Sequence, residues 1–176
     1  MKILLVTGMP GSGKEELLNV ARSMGFQFLR MGDIVREFHR TSGAAEKGLS
    51  VGQVANSERE LHGKDIWAKR AMETMSGDLF LVDGCRSLDE VESFRGLSDQ
   101  VLIIGVHAPP SIRYERLVQR GREDAPKDLQ EFNERDSREL GWGLGNVIAL
   151  SDIIIVNDSD LESFRSEVTR RLEGLR

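Results

Sequence analysis

Seven consecutive residues, Gly8-Met9-Pro10-Gly11-Ser12-Gly13-Lys14, carry the most specific chemistry in this chain. They fit G-x-x-x-x-G-K, a loop whose glycines let backbone N–H groups wrap a polyphosphate while the lysine reaches the β- and γ-phosphates. The pattern has this meaning only between a strand and a helix. Both are written here: Lys2 to Thr7 is an apolar run, and Leu17, Leu18, Ala21 and Met24 recur at helical spacing after Lys14. A tight turn serving geometry alone leaves the lysine without a reason. Glu15 stands where the common form has Ser or Thr to help hold Mg²⁺. Its carboxylate has three options: to bind the metal, to repel phosphates, or to turn away with Glu16 and favour the helix N-terminus.

Phosphoryl transfer spreads negative charge over equatorial oxygens, so it needs fixed cations and positioning more than a strong base. Arg113, Arg116 and Arg120 follow Pro109-Pro110 at spacings that put them along one helical face, where they could converge on one anion. The plainer reading is a solvated face partnered by Glu115 and Glu123; the phosphate loop favours the functional one. Asp83 follows four apolar residues, so its carboxylate is expected at the carboxyl edge of a sheet, placed for a magnesium-bound water. Arg86 either serves the site or pairs with Asp89 one helical turn on. His39, His62 and His107 share no metal-ligand spacing, and Cys85 reads as a small buried residue with no base at a diagnostic distance. Trp67 and Trp142 read as packing residues, either of which is able to stack a base.

These groups need a scaffold. The runs Leu79–Val82, Val101–Val106 and Ile153–Val156 are apolar without alternation, as strands covered on both faces are. With Lys2–Thr7 and a short run at 26–29 they predict an α/β fold: a five-stranded parallel sheet in three layers, ending in an amphipathic helix over about 161–172. A helix capped by Asp33 is expected from about Ile34, small and polar residues fill 41–51, and a charged helical stretch covers about 52–75 with a break near Leu61-His62-Gly63.

At 176 residues, 39% hydrophobic and 30% charged, the chain suits one globular domain, 1–176. A net charge of -5 argues against general nucleic-acid affinity. A single cysteine excludes an intrachain disulfide and fits the cytoplasm, and the N-terminal apolar run is too short for a signal or membrane span. A monomer or homodimer without membrane contact is expected.

Gly8-x-Pro10-Gly11-x-Gly13-Lys14 resembles the loop of adenylate kinase and the wider nucleoside monophosphate kinases, which have Gly at the place of Glu15. Gly32-Asp33-Ile34-Val35-Arg36 is similar to the start of their acceptor-binding helix, which implies acceptor roles for Asp33 and Arg36. Asp83-Gly84-Cys85-Arg86 resembles their Asp-Gly-Phe-Pro-Arg, one residue shorter and without proline, implying Asp83 near magnesium and Arg86 on the acceptor phosphate. Glu115-Arg116-Leu117-x-x-Arg120 is similar to the run entering their lid, with Arg116 near the ATP base and Arg120 on phosphates; Arg122, Arg135 and Arg138 are further lid candidates, Arg135 with a catalytic role. Asn157, after the last strand, falls where those kinases surround the adenine. The closest likeness is to an archaeal group of small adenylate-kinase-related proteins.

The resemblance implies ATP and Mg²⁺ as cofactors, an acceptor-binding arm over about 32–63, a lid over about 113–140, and transfer to a nucleotide or nucleotide-like monophosphate. A dephospho-coenzyme A or other small-metabolite kinase, and an ATP-binding regulatory switch, are the alternatives. A GTPase is disfavoured, because the last strand is followed by Asn157-Asp158-Ser159-Asp160 and not Asn-Lys-x-Asp.

Overall fold

Unbroken apolar runs have no wet face, so they pair side by side and must be covered above and below. The computed structural model describes residues 1–121 and 125–175. Along them run β1 (Lys2–Thr7), α1 (Lys14–Ser23), β2 (Gln27–Arg30), α2 (Met31–Thr41), α3 (Val51–His62), α4 (Ile66–Met72) and β3 (Leu79–Asp83). Then come α5 (Leu88–Leu97), β4 (Gln100–His107), α6 (Pro110–Arg120), α7 (Leu129–Gly141), α8 (Leu144–Ala149), β5 (Ile153–Val156) and α9 (Leu161–Glu173). The strands form one parallel sheet in the order β2-β3-β1-β4-β5.

Strand alternation divides the buried residues of β1 between two cores. Ile3 and Leu5 join Val82 and Ile103 against Met31, Trp67, Val91, Phe94 and Val147, so α2, α4, α5 and α8 cover that face. Leu4 and Val6 join Leu81, Ile104 and Val106 against Leu17, Leu18, Phe164 and Val168 from α1 and α9. This is the expected three-layer α/β arrangement. Trp67 is fully buried and its indole N–H donates to Ala55 O at 3.2 Å, which makes it a packing residue.

The order places β1 between β3 and β4, so the loops leaving β1 and β3 open a crevice at the carboxyl edge. One boundary differs from expectation and one follows it. The chain passes from β2 straight into α2 with Arg30 at the N-cap, so Asp33 lies inside the first turn and does not cap; its carboxylate is held by Arg36 one turn on. The charged stretch divides where Gly63 adopts φ +100°, a backbone state that other residues resist, with Ser50 and Gln53 closing a capping box at the start of α3. Among the described residues no helix is long and apolar enough to cross a membrane.

Phe164 joins sheet to site: it is 1% exposed, and its ring edge would lie 3.5 Å from a Cβ at Gly13. Phe164→Ala is expected to lower stability by about 3–5 kcal/mol, read as a lower urea midpoint at unchanged m-value.

Candidate functional site

The chain leaves β1 through a glycine turn and re-enters regular structure at Lys14. Gly13, the N-cap of α1, has φ 108° and provides no side-chain cap, which leaves the first N–H groups of the ten-residue α1 for an anion. A Cβ at Gly8 would lie 2.4 Å from Val106 O, and one at Gly13 2.1 Å from Asn157 Nδ2. Ser12 is fully buried, and its Oγ has no hydrogen-bond partner among the described residues. The Lys14 ammonium donates to the loop's own carbonyls, Gly8 O at 2.6 Å and Met9 O at 3.3 Å. Burial lowers its pKa, Arg86 and Arg135 press it further down, and Asp83 and Glu139 oppose them.

Asp83 ends β3 beside Val6 of β1, and the Gly84 N–H donates to Val6 O at 3.2 Å. The Thr7 hydroxyl donates to Cys85 O at 2.9 Å, which ties the two loops together. Asp83 Oδ1 is buried without a hydrogen-bond partner among the described residues. Burial raises its pKa, against the pull of Lys14, Arg86 and Arg30. Cys85 is fully buried and burial pushes its thiol well up, so it is the packed residue expected. Arg86 does not pair with Asp89: its Nε donates to Glu139 Oε2 at 3.0 Å and its Nη1 to Gly84 O at 3.3 Å. Burial alone would lower its pKa, but Glu139, Glu90 and Asp83 outweigh burial and the net shift is upward.

The helical arginines divide. Arg113 is 3% exposed and turns inward, donating to Ala108 O, Pro10 O and Asp136 with its guanidinium over Phe132, so it holds α6 and α7 to the loop instead of joining an anion site. Arg116 donates to Asn157 O and Oδ1, both at 3.1 Å, and Asn157 Nδ2 donates to Ser12 O at 2.8 Å. Asn157 therefore clamps the phosphate loop, a task its sequence position did not suggest. Arg116, Arg120 and Arg135 border the same cleft of about 600 Å³ as Gly8, Pro10, Gly11, Gly13 and Lys14. Arg138 is not among the lining residues, and Arg122 lies outside the described residues.

Gly32, Arg36, Asp83 and Arg86 also line the cleft, while Asp33 is spent on Arg36. Glu16 stands at the rim with its carboxylate bound to Arg165 of α9 at 2.6 Å, bracing two helices. Glu15 does not turn away with Glu16: it stays in the cleft beside Arg30 and Arg120. Sequence reading missed Arg30 and Glu139. Arg30 had a signal, since it closes a strand immediately before Gly32-Asp33 at the same sheet edge as Asp83. Glu139 had none, because only the fold brings it to Arg86, 53 residues away.

Arg86 also borders a second cavity of about 380 Å³ with Asn56, Arg59, Glu90 and Trp142. Glu90 Oε2 accepts the backbone N–H groups of Arg86 and Ser87, while Oε1 is buried with no hydrogen bond among the described residues and Arg59 3.7 Å away. Arg59 and Arg86 lie over the Trp142 ring, at 5.3 and 5.8 Å from its centroid.

A family model described as an AAA domain matches residues 7–133. The UPF0200 protein of Hyperthermus butylicus is 47% identical over 176 residues, covering 98% of this chain and 94% of that one. The chain belongs to the UPF0200 family. The family member of Thermoplasma acidophilum is 42% identical over 171 residues, with 97% and 94% covered, which bears out the archaeal likeness. Among solved structures, the UPF0200 chain is similar to a shikimate kinase from Bacteroides thetaiotaomicron, with TM-score 0.64, 18% identity and 98% of each chain covered. A gluconokinase from Sinorhizobium meliloti follows at TM-score 0.62, 16% identity, and coverage of 99% and 93%. At such identities the likeness is one of fold, and that fold is the P-loop kinase fold.

The clamp is open to a direct test. Asn157→Ala is expected to lower stability by about 1–3 kcal/mol, since Ser12 O and Arg116 lose a buried partner. Gly13→Ala should cost less in the Asn157→Ala background than in the wild type, because the clashing amide is gone; denaturant unfolding of the four proteins measures that coupling.

Proposed function

We propose that this UPF0200 protein is an ATP-dependent phosphotransferase that acts, with Mg²⁺, on a small acceptor already carrying a phosphate, a nucleotide or nucleotide-like monophosphate. One observation carries the reading: the phosphate loop with Lys14 and the arginines Arg30, Arg36 and Arg86 line one cleft. A donor needs the first and a phosphorylated acceptor the second.

The residues present fit the implied cofactors. The glycine cradle and uncapped α1 suit the phosphates of ATP, and the orphaned oxygens of Asp83 and Ser12 would hold a magnesium ion directly or through water. Mg²⁺, when bound, supplies charge neutralisation on the transferring group. Lys14, Arg120 and Arg135 stabilise the charge that develops on the equatorial oxygens, while Arg36 and Arg86 fix the acceptor's phosphate. Arg116 and Asn157 position the loop. In this reading the chain works as one unit, with 32–63 as the acceptor arm and 113–140 as a lid that excludes water. It acts in the cytoplasm, as a monomer or homodimer, on small molecules and not on nucleic acid.

The second cavity supports a variant of this reading, a kinase of dephospho-coenzyme A or another small metabolite, because Arg86 would share the acceptor's phosphate with a body lodged beside Glu90 and Trp142. The test is incubation with ATP, Mg²⁺ and a panel of nucleoside monophosphates, dephospho-coenzyme A and small hydroxy acids, with products followed by mass. A phosphorylated acceptor is expected, with Lys14→Ala lowering kcat by at least about 10²-fold and Arg86→Ala raising the acceptor KM more than the ATP KM. ADP and free phosphate without an acceptor product, still dependent on Lys14, would move the assignment to a regulatory ATPase.

A further inference from the structure

Glu15 is a departure from the common loop that the proposed reaction does not use. Its Oε1 lies 3.8 Å from Arg30 Nη2, and its Oε2 lies 3.8 Å from Arg120 Nη1. The two arginines come from opposite sides of the cleft: Arg30 closes β2 and starts α2, and Arg120 is the last residue of α6. One carboxylate thus stands between the acceptor side and the lid side, immediately after the lysine that handles phosphates. The three side chains are 41%, 28% and 33% exposed, so these are loose, partly screened ion pairs of the kind a stronger anion displaces. Arg30 Nε is buried without a hydrogen-bond partner among the described residues, so Glu15 does not satisfy that guanidinium. The charges of Arg30 and Glu15 are also both felt at Asp83, which places the group in the field of the reacting centre.

We propose that Glu15 is a positioning residue, a built-in stand-in for phosphate that holds Arg30 and Arg120 across the cleft until the substrates' phosphates take both arginines from it. The proposal rests on the reading of the cleft as a phosphate site. An anion that reaches one side only must compete with Glu15 while the other arginine still holds it. A ligand set that brings charge to both sides takes both arginines from the carboxylate, so Glu15 sets a selectivity for polyphosphate or for donor and acceptor together over a lone phosphate. In this proposal the carboxylate serves the arginines and not the magnesium.

Glu15→Gln keeps the shape and removes the charge, and Glu15→Asp keeps the charge on a shorter arm. In the ligand-free protein, amide hydrogen exchange over 28–33 and 114–120 should be faster in Glu15→Gln than in the wild type, with the rest of the chain unchanged. Titration with tripolyphosphate in EDTA should show about tenfold tighter binding to Glu15→Gln, with inorganic phosphate gaining more than tripolyphosphate does. Adding Mg²⁺ should tighten tripolyphosphate by the same factor in both proteins. Unchanged exchange in Glu15→Gln overturns the brace, and loss of the Mg²⁺ effect in that variant makes Glu15 a metal ligand and overturns the proposal too. If tripolyphosphate binds neither protein, nor Lys14→Ala, the phosphate reading of the cleft has failed and the exchange of arginines falls with it. Binding that depends on Lys14 but is indifferent to Glu15 leaves the function standing and removes only this inference.

Discussion

A phosphate cradle made of backbone is held from outside. Left-handed glycines let the turn after β1 aim its N–H groups inward, but the same freedom gives the turn no stiffness of its own. The hydrogen bond from Asn157 to Ser12 O supplies it, and Asn157 is fixed in turn by the bond from its own N–H to His107 O and by the Arg116 guanidinium on its two oxygens. Four segments from the length of the chain thus meet at one residue. Through that junction the phosphate loop, β4 and α6 are tied to the end of β5.

Around it, buried charges are arranged to disfavour being alone. Lys14 and Asp83 are both desolvated, which lowers the pKa of the lysine and raises that of the acid, and the charge of each opposes the shift of the other. Arg86 is buried and remains charged because Glu139 and Glu90 face it. The acids in the cleft therefore keep a cluster of cations folded into one small volume, where their repulsion would otherwise open the fold. Glu139 and Arg86 also join α7 to the loop after β3.

Most of the scaffold was legible because its signals are local. The apolar runs at 2–7, 79–82, 101–106 and 153–156 are strands within a residue or two, since a stretch with no polar face has nowhere to lie but the middle of a sheet. Gly63 broke the charged helix where its sequence suggested. The start of α2 was misplaced because Asp33 has the chemistry of a cap but found Arg36 instead, a competition between two partners that composition does not rank. Arg113 was misassigned for a similar reason: at i, i+3 from Arg116 it shares a helical stripe, yet it turns inward with its guanidinium over Phe132 and paired with Asp136.

The sequence by itself determined the chemistry that short spacing encodes: a loop for phosphates, an acid at the end of a central strand, arginines in the segments that follow strands, and the parallel sheet that brings strand ends to one edge. Only the tertiary structure decided which of those charges face one another. Glu15 could bind metal, repel phosphate or turn away, and it bridges two arginines; Asn157 looked like part of a nucleotide pocket, and it clamps the loop; Glu139 carried no signal, and it holds Arg86. The physical reason is that hydrophobic patterning acts along the chain at fixed periods, whereas the partner of a long charged side chain is fixed by a few ångströms of distance between segments that the sequence keeps far apart.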